Sequence, residues 1–186
     1  MKKGFIQIYD DILPRELSNS IENLILKDQV VNLVYTPNIT DPQSDNFYPG
    51  FGNNFYDPVN NIFEPYSYAF FEIVYRLGNY LNLFIAQIYK ARVFIHLPSL
   101  TPGQDEIHVD MPEDHYVCLY YVNDSEGDTI IFDDNRKEIQ RITPKKGRIV
   151  FFDGSLEHCS SKPSKTTRAV INIDFWGSKF GEEERF

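Results

Sequence analysis

The sequence predicts a mostly β protein with N-terminal helices: a double-stranded β-helix, or jelly roll, with two supporting α-helices. Three observations predict it. After residue 83 the chain breaks into eight short aliphatic and aromatic runs of strand length. Turn-forming clusters separate them at Pro98, Pro102-Gly103, 123–128, 133–137, 144–147 and 162–166. Ahead of them lie two stretches with helical apolar spacing, which would cover one face of the jelly roll.

Residues 5–9 (FIQIY) alternate as a short strand. From Leu13, apolar residues recur at Leu17, Ile21, Leu24 and Ile25, with Pro14 and Glu16 in the first turn, which predicts an amphipathic helix ending near Asp28. Residues 36–61 are rich in Pro, Gly, Asn and Asp and read as a long irregular loop. Its five aromatics, Phe47, Tyr48, Phe51, Phe55 and Tyr56, suit either a substrate-binding lid or a loop capping the core. A second helix carries Phe63, Tyr66, Phe70, Ile73, Val74, Leu77 and Leu81 on one face, which is a core stripe. The strands that follow are IAQIYKARVFIHLP, IHVD, HYVCLYYVN, DTIIFDD, EIQRIT, GRIVFFDG, HCSS and TTRAVINIDFW.

The 186 residues suit a single domain, with helical support over about 1–82 and a jelly-roll core over about 83–177. A formal net charge of -9 argues against nucleic acid as a partner. Two cysteines, Cys118 and Cys159, are too few for a secreted disulfide scaffold. The N-terminus lacks the apolar region of a signal peptide, and no apolar run approaches the ~18 residues of a membrane span. The expectation is a cytoplasmic protein, monomeric or weakly oligomeric, with no membrane partner. The acidic end GEEERF reads as a solvated tail.

The chemistry concentrates in IHVDMP. Side chains at i and i+2 of a strand share a face, so His108 and Asp110 project together. On a buried face that pair needs compensation, which a bound cation supplies. His158 opens a strand 48 residues after Asp110, a separation (158 − 110) that lets a double-sheet jelly roll return the chain to its start. Two imidazoles and a carboxylate are the facial triad of non-haem Fe(II) oxygenases. Arg168, ten residues on (168 − 158), begins a strand and could point into the same barrel. There its planar fork suits a carboxylate. His96 and His115 read as structural, Arg92 as an exposed strand position, Cys118 as core packing, and Glu113 and Asp114 as a solvated turn.

From about 91 to 177 the chain resembles the catalytic core of the 2-oxoglutarate- and Fe(II)-dependent dioxygenases, and within them the prolyl 4-hydroxylase-like branch. HVDMP, LYYVND, ITPKKGRIVFFDG, EH and TRAVINIDFW carry the resemblance, in the family's order and near its spacing. It implies His108, Asp110 and His158 as iron ligands and catalytic centre. It implies Arg168 and Tyr121 as contacts of the distal carboxylate of 2-oxoglutarate, and O2 as the oxidant, with ascorbate as a supporting reductant. Asp110, where halogenating relatives have Ala or Gly, favours hydroxylation. Arg168, where collagen-type prolyl hydroxylases tend to use Lys, leans toward the oxygen-sensing enzymes. Val170 stands where many members have Ser or Thr. The tyrosine common just before the HxD segment has no counterpart there, and Thr101 and Gln104 are the nearby polar residues.

The resemblance implies a prolyl residue in a peptide or protein as substrate, with succinate and CO2 as co-products. A free amino acid or other small metabolite is the alternative within the enzyme class. A non-catalytic metal-binding sensor is the alternative outside it, and Arg168 and Tyr121 argue against that reading.

Overall fold

The computed structural model describes residues 3–28, 30–39 and 47–179. The acidic tail and part of the 36–61 segment lie outside them. The elements run β1 (Ile6–Tyr9), α1 (Arg15–Leu26), β2 (Val34–Thr36), β3 (Gly50–Asp57), β4 (Ile62–Phe63), α2 (Ser67–Leu81) and β5 (Leu83–His96). There follow β6 (Tyr116–Tyr121), β7 (Thr129–Phe132), β8 (Glu138–Ile142), β9 (Ile149–Asp153), β10 (His158–Ser160) and β11 (Arg168–Lys179). The major sheet has the order β1-β9-β6-β11-β5-β3-β2, with β4 on β3; the minor sheet is β10-β7-β8.

Strand alternation separates two interiors. On β11, Ala169, Ile171, Ile173 and Phe175 turn outward and meet Ile21 and Ile25 of α1 and Phe70, Ile73, Val74 and Leu77 of α2 in the larger core. The even-numbered residues turn inward: Val170 packs with Val117, Leu119, Phe152 and the minor-sheet residues Ile131 and Ile142. A period of two thus gives one strand an apolar face for the helices and a mixed face for the space between the sheets. Both expected helices are present, but the second starts only at Ser67, so Phe63 falls in β4 and Tyr66 is the N-cap. The second ends at Asn82, whose φ of 54° is left-handed backbone that asparagine tolerates.

Two expectations need correction. Residues 36–61 are not one long loop, because β3 pairs with β5 from Gly50↔His96 to Tyr56↔Ala91. Its sequence, GFGNNFYD, has weak strand preference. Pairing with the 14-residue β5 overrides that, and Phe55 is buried against Phe70 at 5.0 Å between ring centroids. The N-terminal part is therefore not purely helical support, since β1 and β3 both extend the major sheet. IHVD is not a strand either: among the described residues its one ladder contact is an isolated bridge, His108↔His158. Among the described residues no helix is long and apolar enough to cross a membrane.

Candidate active site

A cavity of about 320 Å³ lies between the two sheets. At one side of it, His108, Asp110 and His158 each present a donor atom, all within 4.8 Å of one another. The backbone builds this group. His108 donates its amide to the His158 carbonyl at 3.0 Å, and His158 donates its own to His108 at 2.9 Å. The two rings are thereby set side by side, 4.7 Å apart.

Each ring is also fixed in rotation. Nδ1 of His108 meets the Glu106 carbonyl at 2.9 Å, and Nδ1 of His158 meets that of Leu156 at 3.1 Å. A carbonyl can only accept, so Nδ1 carries the proton and Nε2 keeps its lone pair, the tautomer a metal ligand needs. His158 Nε2 is 3.5 Å from Asp110 Oδ2. This donor set fits a divalent cation: two neutral imidazole nitrogens and one carboxylate oxygen on one side of a cavity, which is the Fe(II) facial pattern.

The electrostatics agree. Burial works to raise the Asp110 carboxyl, but Arg92, His158 and His108 outweigh it and hold it well below the usual carboxylate range. Burial, with His158 next, lowers His108, which favours the neutral ligand form. Burial also works to lower His158, but its contact with Asp110 raises it on balance.

The other end of the cavity is cationic. Arg168 is 3% exposed and lines the wall, with no ion pair among the described residues and a buried Nε that has no partner. Its guanidinium donates to Thr129 Oγ1 at 2.8 Å. The Tyr121 hydroxyl donates to the same oxygen at 2.6 Å, and the Tyr121 ring lies 5.6 Å from the guanidinium carbon. The Tyr121 hydroxyl also lies 3.3 Å from the Ile142 carbonyl, which can only accept. Tyr121 is fully buried behind Thr129, and the cavity wall at this point is Thr129 and Arg168.

The structure thus brings all five sequence-chosen residues to one place, the triad and Arg168 in the wall and Tyr121 one layer behind. Thr101 and Gln104 lie outside the cavity lining. His96, read as structural, lines it beside Arg168, its cross-strand neighbour, with Nδ1 buried and unpartnered among the described residues and the Tyr48 ring 5.1 Å away. Burial, then Arg168, holds His96 well below the ordinary histidine value. Arg92 is the clearest correction: it is mostly buried at the cavity wall, where Asp110 and Asp174 both accept from its guanidinium. Asn172 donates to both Asp110 oxygens at 3.1 Å. The signal for Asn172 and Asp174 was present in RAVINID, where they fall four and six residues after Arg168 and so share its face.

Residues 95–176 match the family model of the 2OG-Fe(II) oxygenase superfamily, a span that holds all five site residues. No curated protein matches the chain in sequence. Among solved structures it is similar to a prolyl hydroxylase from Trichoplax adhaerens, in complex with a hypoxia-inducible-factor oxygen degradation domain peptide fragment. That pair has a TM-score of 0.66 at 16% identity, covering 92% of this chain and 83% of the other. It is also similar to a prolyl-4-hydroxylase from Pseudomonas putida, with a TM-score of 0.61 at 15% identity over 91% of both chains. A third similar structure is a non-haem α-ketoglutarate-dependent epimerase of nogalamycin biosynthesis, with a TM-score of 0.63 at 9% identity over 94% of this chain and 78% of the other. Residues 95–176 are thus similar to the 2OG-Fe(II) oxygenase superfamily, and the chain shares the jelly-roll fold of solved enzymes of that kind.

Proposed function

We propose that the chain hydroxylates a C–H bond of a prolyl residue in a peptide or protein, using Fe(II), 2-oxoglutarate and O2 and releasing succinate and CO2. The observation that carries this reading is the opposition, across one cavity, of the His108–Asp110–His158 donor set and a buried Arg168 without an acid partner among the described residues. His108, Asp110 and His158 would hold the metal through two Nε2 atoms and one carboxylate oxygen. Arg168, with Thr129 beside it in the wall, would take the far carboxylate of the co-substrate, with Tyr121 keeping Thr129 in orientation. When bound, the iron supplies the O2-dependent oxidation that no side chain here can perform. Phe94, Val117, Leu119, Phe152 and Val170 line the space between the two ends and exclude water from it.

The prolyl assignment is supported by the resemblance of the 91–177 segment, by Arg168 in place of Lys, and by the similarity to two solved prolyl hydroxylases. A second reading, a small metabolite as substrate, is favoured by the cavity itself. About 320 Å³ is at the small end for a ligand site, and the similar epimerase shows the fold outside prolyl hydroxylases.

The test is succinate formation by the purified protein with Fe(II), ascorbate, 2-oxoglutarate and O2. It is run with a proline-rich peptide pool, with free amino acids, and with an Asp110→Ala variant. Peptide-stimulated turnover that is lost in the variant is the expected result. Stimulation by free amino acids alone would move the substrate to the metabolite class. Bound metal with no succinate under any condition would overturn the enzymatic reading.

A further inference from the structure

Behind the metal-ligand group lies a second set of buried polar side chains that the proposed reaction does not use. Arg92 of β5 donates to Asp110 Oδ1 and, at 2.8 Å, to Asp174 Oδ2 of β11. The side chain of Asp174 is completely buried, and that of Arg92 is 13% exposed. Among the described residues Asp174 Oδ1 has no hydrogen-bond partner, and neither does the buried Nε2 of His115. One donor atom from each of Asp110, His115 and Asp174 falls within a 4.8 Å group.

The tautomer of His115 follows from its surroundings. Its Nδ1 meets the Glu113 carbonyl at 2.7 Å, the same two-residue arrangement that fixes His108 and His158. Its Nε2 therefore carries a lone pair. The ring is held by Gly154, where an added Cβ would stand 2.2 Å from Nε2. Asp110 and Arg92 both line the cavity wall, whereas Asp174 and His115 do not.

Two carboxylates buried this deeply are costly without a cation between them. One guanidinium, planar and with several N–H groups, serves both. It also treats the two oxygens of Asp110 differently. Oδ1 accepts from Arg92, while Oδ2 is the oxygen 3.5 Å from His158 Nε2. Asn172 donates to both oxygens at 3.1 Å, so what distinguishes them is that Oδ1 meets the guanidinium and Oδ2 faces His158.

On the reading that His108, Asp110 and His158 hold the metal, we propose that Arg92, anchored by Asp174, is a positioning residue. It engages Asp110 Oδ1 and so turns Oδ2 toward the other two ligand atoms. Asp174 in turn draws off part of the guanidinium charge, which would otherwise oppose a divalent cation next to it. His115 completes the anchor by closing the space beyond Asp174. Outer partners that orient ligating carboxylates and imidazoles are a general requirement of metal sites, and their loss typically weakens affinity about 10–100-fold.

The test uses Co(II) alone as probe, without co-substrate, on the full chain. Arg92→Met combined with Asp174→Leu removes the anchor without leaving an unpaired buried charge from it. The expected result is Co(II) binding about 10–100-fold weaker than wild type with the metal-free melting temperature little changed. Arg92→Lys, which keeps the charge and one N–H, is expected to recover part of the affinity. Wild-type affinity in the double variant would overturn the proposal and leave Arg92 as a simple partner of Asp174.

A second measurement needs no destabilising variant. In wild type titrated with Zn(II), the Arg92 guanidinium protons, assigned by their loss in Arg92→Lys, are expected to stay slow to exchange when the metal binds. Their release on Zn(II) binding would equally overturn the proposal. Asp110→Ala reports separately on the underlying reading: unchanged Co(II) affinity there would remove the triad itself, whereas its loss beside an unaffected double variant would remove only the role of Arg92.

Discussion

His108 and His158 hold each other through the main chain, each donating its amide to the other's carbonyl, at 3.0 and 2.9 Å. The spacing of the two imidazoles is thus set by backbone hydrogen bonds that do not depend on the side chains. His158→Ala should leave that bridge and the fold in place. Its metal affinity should fall by more than about 100-fold, beyond the loss expected for an outer partner. Calorimetric titration with Fe(II) under anaerobic conditions, beside a melting curve of the metal-free protein, checks both halves. A large drop in melting temperature would show that the imidazole itself supports the fold.

Arg168 and Gly127 test the cationic end together. Arg168→Ala removes the guanidinium and should weaken 2-oxoglutarate binding by roughly 100-fold or more, the scale for truncating one partner of a buried charged contact. Gly127→Ala does not touch the ligand, but its new Cβ would stand 2.8 Å from Arg168 Cδ and 3.0 Å from the Ser161 carbonyl. Arg168 must shift, so co-substrate affinity should fall while metal affinity holds. Parallel titrations with the metal and with 2-oxoglutarate separate the two effects. Equal loss of both would indicate general disruption.

Asp10 gives a prediction in pH. It accepts from Arg148 at 2.8 and 3.0 Å and from Lys145 at 2.9 Å, joining the loop before α1 to the start of β9. The Arg148 hydrogen bond is the largest cause that brings its carboxyl down from 3.8 to about 2. A carboxyl lowered in the folded state stabilises the fold above its unfolded value and loses that contribution as pH falls through its folded value. Wild type should therefore exceed Asp10→Asn in stability at pH 7, and the difference should close between about pH 4 and pH 2. Denaturant midpoints of both proteins across that range measure it. A difference that ignores pH would assign the effect of the substitution to packing.

Phe151 joins the sheet to its N-terminal cover. It is fully buried, 4.8 Å from Phe5 and stacked at 5.9 Å on Phe175 by ring centroids. Phe151→Ala should cost about 3–5 kcal/mol, read as a lower denaturant midpoint. The residue faces the helices, away from the cavity, so metal affinity measured below the transition should remain. If affinity falls in proportion to stability, the two faces of the sheet are not independent.

The local pattern alone carried much of this protein. Alternation in YVCLYY, IVFFD and RAVINIDFW marked strands, and helical spacing marked α1 and α2, because each period reflects which face a side chain must bury. His108 and Asp110 were legible as a pair for the same reason, and their resemblance to a family's motifs extended that to His158, Arg168 and Tyr121. Tertiary pairing decided the rest. GFGNNFYD is a poor strand by composition and becomes β3 only because β5 offers an edge and the α2 aromatics cover Phe55. Arg92 reads as a solvated position within its own strand. It is mostly buried at the cavity wall, where Asp110 and Asp174, which are 18 and 82 residues away, both accept from it. No local period encodes that meeting: a buried charge is admissible only when its counter-charges are brought to it, and only the folded sheet does so.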